Sequence, residues 1–234
     1  GMFMERLDKI LSSQGVGSRK EAGILIRRGL VHVNGILATR PETKTDPERD
    51  QITIEGKPLR FQRHVYLMMN KPAGVVSASR DSREKTVVDL VPPALSRRDL
   101  FPAGRLDRDT TGLLILTDDG ELAHRMLSPK KHVYKLYEAS VDGPVGAEEI
   151  EKFAAGVALE DGTVCLPAGL TVVKQGTAWE TLVEIREGKF HQVKKMFLAV
   201  GRRVLRLKRV RIGGLELDKT LNCLLYTSPS PRDS

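Results

Sequence analysis

Cysteine is almost missing from this chain: Cys165 and Cys223 are the only two among 234 residues. Two isolated thiols exclude a disulfide framework and a cysteine-based zinc site, and they suit a reducing compartment. Long apolar runs are missing too. No stretch approaches the roughly 20 residues that span a bilayer, and the N-terminus lacks the hydrophobic segment of a secretory signal. The expectation is a cytoplasmic protein with no membrane partner. Acids are scarce in one place, where between Arg186 and Arg211 a single acid, Glu187, stands against ten Lys or Arg. The formal charge of +8 and a pI near 9.6 already favour a polyanionic partner. Clustering of the excess marks a footprint for nucleic acid rather than an evenly solvated surface. What is present in ordinary amount is apolar side chain, 40% of the total, enough for one well-packed domain and a small accessory one.

From Met4 to Gln14 the apolar residues Leu7, Ile10 and Leu11 recur at helical spacing, and Gly15 to Gly17 stop the run. Ser18 with Glu21 has the capping-box spacing, Ala22, Leu25 and Ile26 supply a second buried stripe, and Gly29 sits where that helix ends. The period then changes. Leu30 to Val33, the Asn34-Gly35 pair and Ile36 to Ala38 predict a tight hairpin, because Asn-Gly accepts the positive φ that such turns demand. Arg19, Lys20, Arg27 and Arg28 accompany the stripe, and Lys20 and Arg27, seven apart, share a helical face. The unit resembles the alpha-L RNA-binding module over about Glu5 to Ile54, and those four cations are its candidate RNA contacts. The module is placed at residues 4–60, with Phe61 to His64 as the junction.

Beyond it, strands are expected at Val65 to Met69, Leu113 to Thr117, Tyr134 to Val141, Leu170 to Lys174, Thr181 to Arg186 and Val204 to Ile212. The last has an alternation that slips by one residue between Leu207 and Val210, which predicts a bulge. Helices are expected at Glu121 to Leu127, ended by Pro129, at Glu148 to Ala155 and at Phe190 to Val200. The fold class is α+β: a mixed, largely antiparallel sheet with flanking helices behind a small two-helix and hairpin module. Gly104-Arg105-Leu106-Asp107-Arg108-Asp109-Thr110-Thr111-Gly112 is a polar loop leading straight into an apolar strand, an arrangement that can hold a carboxylate at the rim of a rigid sheet. By itself it also fits the first aspartate of haloacid-dehalogenase-type phosphatases, a calcium loop from Asp107 to Asp118, or aspartates that cap turns.

The ordered set YLMMNKPAGVVS at Tyr66 to Ser77, GRLDRDTTGLLILTDDGELAHRMLSP at Gly104 to Pro129, KLYEASVDGPV at Lys135 to Val145 and EGKFHQVKKMF at Glu187 to Phe197 resembles the pseudouridine synthases. Within that family the segments SPKKHV and EGKFHQVKKMF are most similar to the ribosomal small-subunit enzymes acting on 16S rRNA, since large-subunit relatives tend to carry Arg-Asn or similar in place of Phe190-His191. The resemblance implies a catalytic domain over 64–222 that isomerises a uridine. Asp107 is the implied nucleophile, Tyr137 the aromatic that stacks on the flipped uracil, and Lys194 the basic partner that keeps the carboxylate ionised. Arg105 and Lys195 are implied RNA contacts. The expected partner is ribosomal RNA or a small-subunit precursor particle, the expected assembly a monomer, and no metal or cofactor is needed. The alternatives are a large-subunit rRNA enzyme and a noncatalytic RNA-binding ribosome-assembly protein on the same scaffold.

The run CLLYTSPSPRD from Cys223 to Asp233 looks like a translated sequencing-library adaptor. Residues 223–234 are therefore expected to be a non-native tail that forms no packed element, with the natural sequence diverging at Leu221 or within the codon for Asn222. A natural Ser/Pro-rich tail is the other possibility.

Overall fold

The computed structural model describes residues 3–128, 133–221 and 226–227. They belong to two compact units, Gly1–Val65 with Val88–Leu100, and Tyr66–Val87 with Phe101–Ser234. In the first, β1 (Glu5–Arg6) leads into α1 (Leu7–Ser13), and α2 (Arg19–Arg27) follows. Leu7, Ile10 and Leu11 from one helix meet Ala22 and Ile26 from the other over Val31 and Ile52. The Ser18 hydroxyl accepts from the Glu21 N–H, and the Glu21 carboxylate accepts from the Ser18 N–H, so the capping box is complete. β2 (Val31–Val33) and β3 (Ile36–Leu37) form the hairpin, turning on Asn34 at φ 53° and Gly35 at φ 77°. β4 (Lys44–Thr45) pairs with β1, while β5 (Ile52–Ile54) and β6 (Lys57–Pro58) extend the hairpin into a sheet ordered β3-β2-β5-β6.

Val88–Leu100 joins this unit through a buried arginine. Arg98 donates to the carbonyls of Ser13, Gln62 and Arg63 at 2.7, 2.7 and 3.0 Å. Arg is suited to bridging several acceptors with one planar fork. The segment contains α3 (Pro93–Ser96).

The second unit is built on β7 (Tyr66–Lys71), β8 (Phe101–Ala103), β9 (Thr111–Thr117), β10 (Lys135–Val141), β11 (Gly169–Lys174), β12 (Trp179–Ile185), β13 (Val204–Ile212), β14 (Leu215–Glu216) and β15 (Tyr226–Thr227). The path across its sheet is β11-β12-β10-β13-β9-β7-β15, with β8 on β9 and β14 on β13. Every pairing is antiparallel except β13 with β9, so the α+β expectation holds. Helices α4 (Gly120–Leu127), α5 (Ala147–Ala155) and α6 (Gln192–Ala199) flank the strands. Phe153 of α5 and Phe197 of α6 meet with ring centroids 5.1 Å apart over Ala139, Val141 and Val183. A second cluster gathers Met68, Leu113, Ile115, Ala123 and Ile212.

Two local features place the site. Leu136 faces Arg211 and Tyr137 faces Arg209, so Val210 is the extra residue of a bulge at the expected slip. Gly112 lies at the parallel β9–β13 crossing with φ 109°, and a Cβ there would run into the backbone of Arg209. Only glycine allows that approach. Two expectations are corrected. The helix anticipated from Phe190 begins at Gln192, because His191 takes a left-handed backbone at φ 51°. The stretch after Asn222 is not wholly unpacked: Tyr226 and Thr227 pair with Met68 and Leu67. The open edge of β7 offers unpaired N–H and C=O groups that an extended segment satisfies irrespective of its sequence. Pro129, most of the SPKKHV segment, Asn222 and the rest of the tail lie outside the described residues.

Candidate active site

Asp107 sits in the loop between β8 and β9, and that loop is pinned from several sides. Lys71, fully buried at the end of β7, donates from Nζ to the carbonyls of Pro72, Arg108 and Thr110 at 2.8, 2.8 and 2.9 Å. Arg209, also buried, donates to the carbonyls of Gly104 and Leu113 at 2.6 and 2.9 Å. The Leu106 N–H donates to Ser77 Oγ at 3.1 Å, and the Gly74 N–H to the Arg108 carbonyl at 2.9 Å. Buried cations satisfied by backbone carbonyls hold the loop in one conformation, since releasing any of them strands polar groups out of water. A carboxylate carried on such a loop needs little reorganisation when it reacts.

The Asp107 side chain is 27% exposed and its Oδ1 lies 3.3 Å from Nε2 of His191. Two cavities open beside it. One of about 290 Å³ is walled by Asp107, Tyr137, Lys135, Glu187, His191 and Arg209. The other, of about 470 Å³, is bordered by Asp107, Ser77, Arg105, Arg108, Lys189 and Phe190. In the first, burial and then the Arg209 guanidinium lower the pKa of Lys135, with Glu187 pulling the other way. Glu187 is itself held, accepting from the Leu166 N–H at 3.0 Å and from Gln192 Nε2 at 2.9 Å. The hydroxyl of Thr110, buried in the same wall, has no hydrogen-bond partner among the described residues.

Of the residues expected from sequence, Asp107, Tyr137 and Arg105 come together at the first cavity. Lys194 does not. It is half-buried on α6 and lines neither cavity, and the side chain in contact with the Asp107 carboxylate is His191 at the helix start. Lys195 points its ammonium at Phe190, 5.1 Å from the ring centroid, and also borders a larger hollow of about 600 Å³ near Asp161 and Leu198 that contains none of the catalytic candidates. In the first unit Arg19, Lys20, Arg27 and Arg28 are all exposed. Arg19 is 3.6 Å from Asp8, whose carboxyl burial would raise but which Arg6 and Arg19 hold below its ordinary value. Lys71, Lys135, Glu187 and Arg209 were not singled out as site residues from sequence. Lys71, Lys135 and Glu187 stand in the quoted motifs, but nothing in one sequence distinguishes a lysine that ends a strand inside the core from one in water.

Among the described residues no cluster of His, Cys, Asp or Glu is grouped to hold a metal ion, and no helix is long and apolar enough to cross a membrane. Comparison with known proteins adds a context. The family model described as RNA pseudouridylate synthase matches residues 65–199, and that of the S4 domain matches residues 5–52. The RNA pseudouridine synthase YtzG of Bacillus subtilis is 46% identical, covering 92% of this chain and 91% of its own. Ribosomal small subunit pseudouridine synthase A of Escherichia coli is 41% identical, covering 92% of each. A crystal structure of a pseudouridylate synthase superposes with a TM-score of 0.67 at 33% identity, covering 96% of both chains.

Proposed function

The chain belongs to the RNA pseudouridine synthase family, and on that premise we propose that it converts a uridine of small-subunit 16S ribosomal RNA to pseudouridine with Asp107 as the attacking group. The observation that carries the assignment of the residue is the immobilised carboxylate at the mouth of a small cavity that it shares with Tyr137. The bond from ribose C1′ to uracil N1 breaks, the base turns, a bond from C1′ to C5 forms and the C5 proton leaves. Asp107 serves this either by adding to C1′ or by removing the C2′ proton to give a glycal, and both routes need the same ionised group at the same place. Tyr137 gives the extruded uracil a face in exchange for the stack it has left. His191, with Nε2 3.3 Å from Asp107 Oδ1, positions the carboxylate.

The small-subunit choice follows from the Phe190-His191 pair and from the name borne by the Escherichia coli relative. We place the RNA-binding module in residues 4–60 and the catalytic domain in 64–222, acting as a cytoplasmic monomer without metal or cofactor. The test is to incubate the purified protein with small-subunit and large-subunit rRNA, free and in precursor particles, and to map pseudouridine. A new pseudouridine in small-subunit RNA is expected; modification confined to large-subunit RNA, or none, would overturn the choice.

The exposed cations of α2 predict a second result. Replacing Lys20, Arg27 and Arg28 by Ala is expected to weaken RNA binding and to flatten its salt dependence, the slope of log affinity against log salt falling by about two, near 0.7 to 0.9 per phosphate contact. Affinity measured across a salt series checks this; an unchanged slope would mean that these residues face solvent in the complex.

A further inference from the structure

We propose that Phe190, stacked on His191, is the platform for the base of a nucleotide adjoining the target uridine, and that this nucleotide occupies the second cavity beside Asp107. The proposal rests on the function given above. Phe190 is 72% exposed, whereas aromatic rings of this size normally gain from burial. It is not idle in that position: its ring stacks on His191 with centroids 3.7 Å apart and planes 20° from parallel. His191 reaches this arrangement in a left-handed backbone conformation that few non-glycine residues adopt. The same imidazole touches Asp107 at 3.3 Å. The stacked pair and the Asp107 carboxylate are thus in continuous contact.

The surroundings specify the ligand. The second cavity shares Asp107 with the first, so a chain threaded through one must pass the other within a residue or two. Arg105, Arg108 and Lys189 border it, and Lys195 stands 5.1 Å from the Phe190 centroid, an array suited to an aromatic base flanked by phosphates. Extruding the uridine also deprives its neighbour of a stacking partner, and an aromatic ring already set beside Asp107 replaces it.

The experiment compares wild-type protein, Phe190→Ala and Phe190→Tyr on small-subunit rRNA, in its precursor particle if free RNA is not modified. The nucleotide on each side of the mapped uridine is left intact or made abasic in turn. Single-turnover pseudouridine formation is the readout. Phe190→Ala is expected to slow the reaction about tenfold, as for loss of one base–aromatic stack, and Phe190→Tyr to restore it. On one side the abasic substitution slows wild type similarly but adds nothing to Phe190→Ala, the non-additivity of a shared contact. If Phe190→Ala matches wild type, or its loss multiplies with the abasic loss on both sides, the platform is overturned while the enzyme remains a pseudouridine synthase. No pseudouridine from wild type on intact RNA would overturn the function itself and the platform with it.

Discussion

Asp107→Asn is expected to lower single-turnover pseudouridine formation by at least about 10³-fold, the scale on which removal of a reacting group acts, while RNA affinity stays nearly unchanged. The substitution keeps the shape of the side chain and removes its charge. Nothing that pins the loop depends on that charge, because Lys71, Arg209, Ser77 and Gly74 all bond to backbone groups of the loop or its flanks. The amide can still meet His191 Nε2, and the loop keeps its position. Rate, affinity and melting temperature should be measured together. Full activity would remove Asp107 from the reaction, and a large fall in melting temperature would assign it a structural role.

Lys71→Met is expected to lower stability substantially. The methionine fills most of the volume but leaves the carbonyls of Pro72, Arg108 and Thr110 without their shared donor. A buried acceptor left unpaired costs about 1–3 kcal/mol, the Arg108 carbonyl keeps the Gly74 N–H, and at about 2–4 °C per kcal/mol for a protein of this size the melting temperature should fall by roughly 5–10 °C. Below the melting range the residual activity should show a reduced kcat with KM little changed, since two of the three carbonyls belong to the loop that carries Asp107. An unaltered melting temperature would show that water or a neighbouring group replaces the ammonium.

Features set by residues close in sequence were legible without coordinates. Ser18 with Glu21 closes its capping box, Asn34-Gly35 turns the hairpin, and the slipped alternation of β13 marks the bulge at Val210. Each depends on side chains within a few positions of one another. The Asp107 loop was legible because a polar run ends abruptly in an apolar strand. What escaped depends on distant partners. The pairing of β1 with β4, the attachment of Val88–Leu100 through Arg98 and the burial of Lys71 and Arg209 are decided by which surfaces meet, and single-sequence periodicity does not report that. That His191 meets Asp107 went unread because it sits in a left-handed backbone conformation just before α6, which periodicity does not report.

The tether from Arg209 to Gly104 and Leu113 also sets a timetable. A ribosome delivers β7 and the Asp107 loop long before it delivers β13, and N-terminal parts of a chain fold first during synthesis. Until β13 slides in parallel beside β9, the cavity has no floor, the Gly104 carbonyl has no buried donor and Tyr137 lacks its neighbour across the strand. Closing contacts of such long sequence separation is the slow part of folding. A nascent chain short of β13 therefore carries Asp107 without Leu207 and Arg209, the β13 residues that wall the cavity beside it.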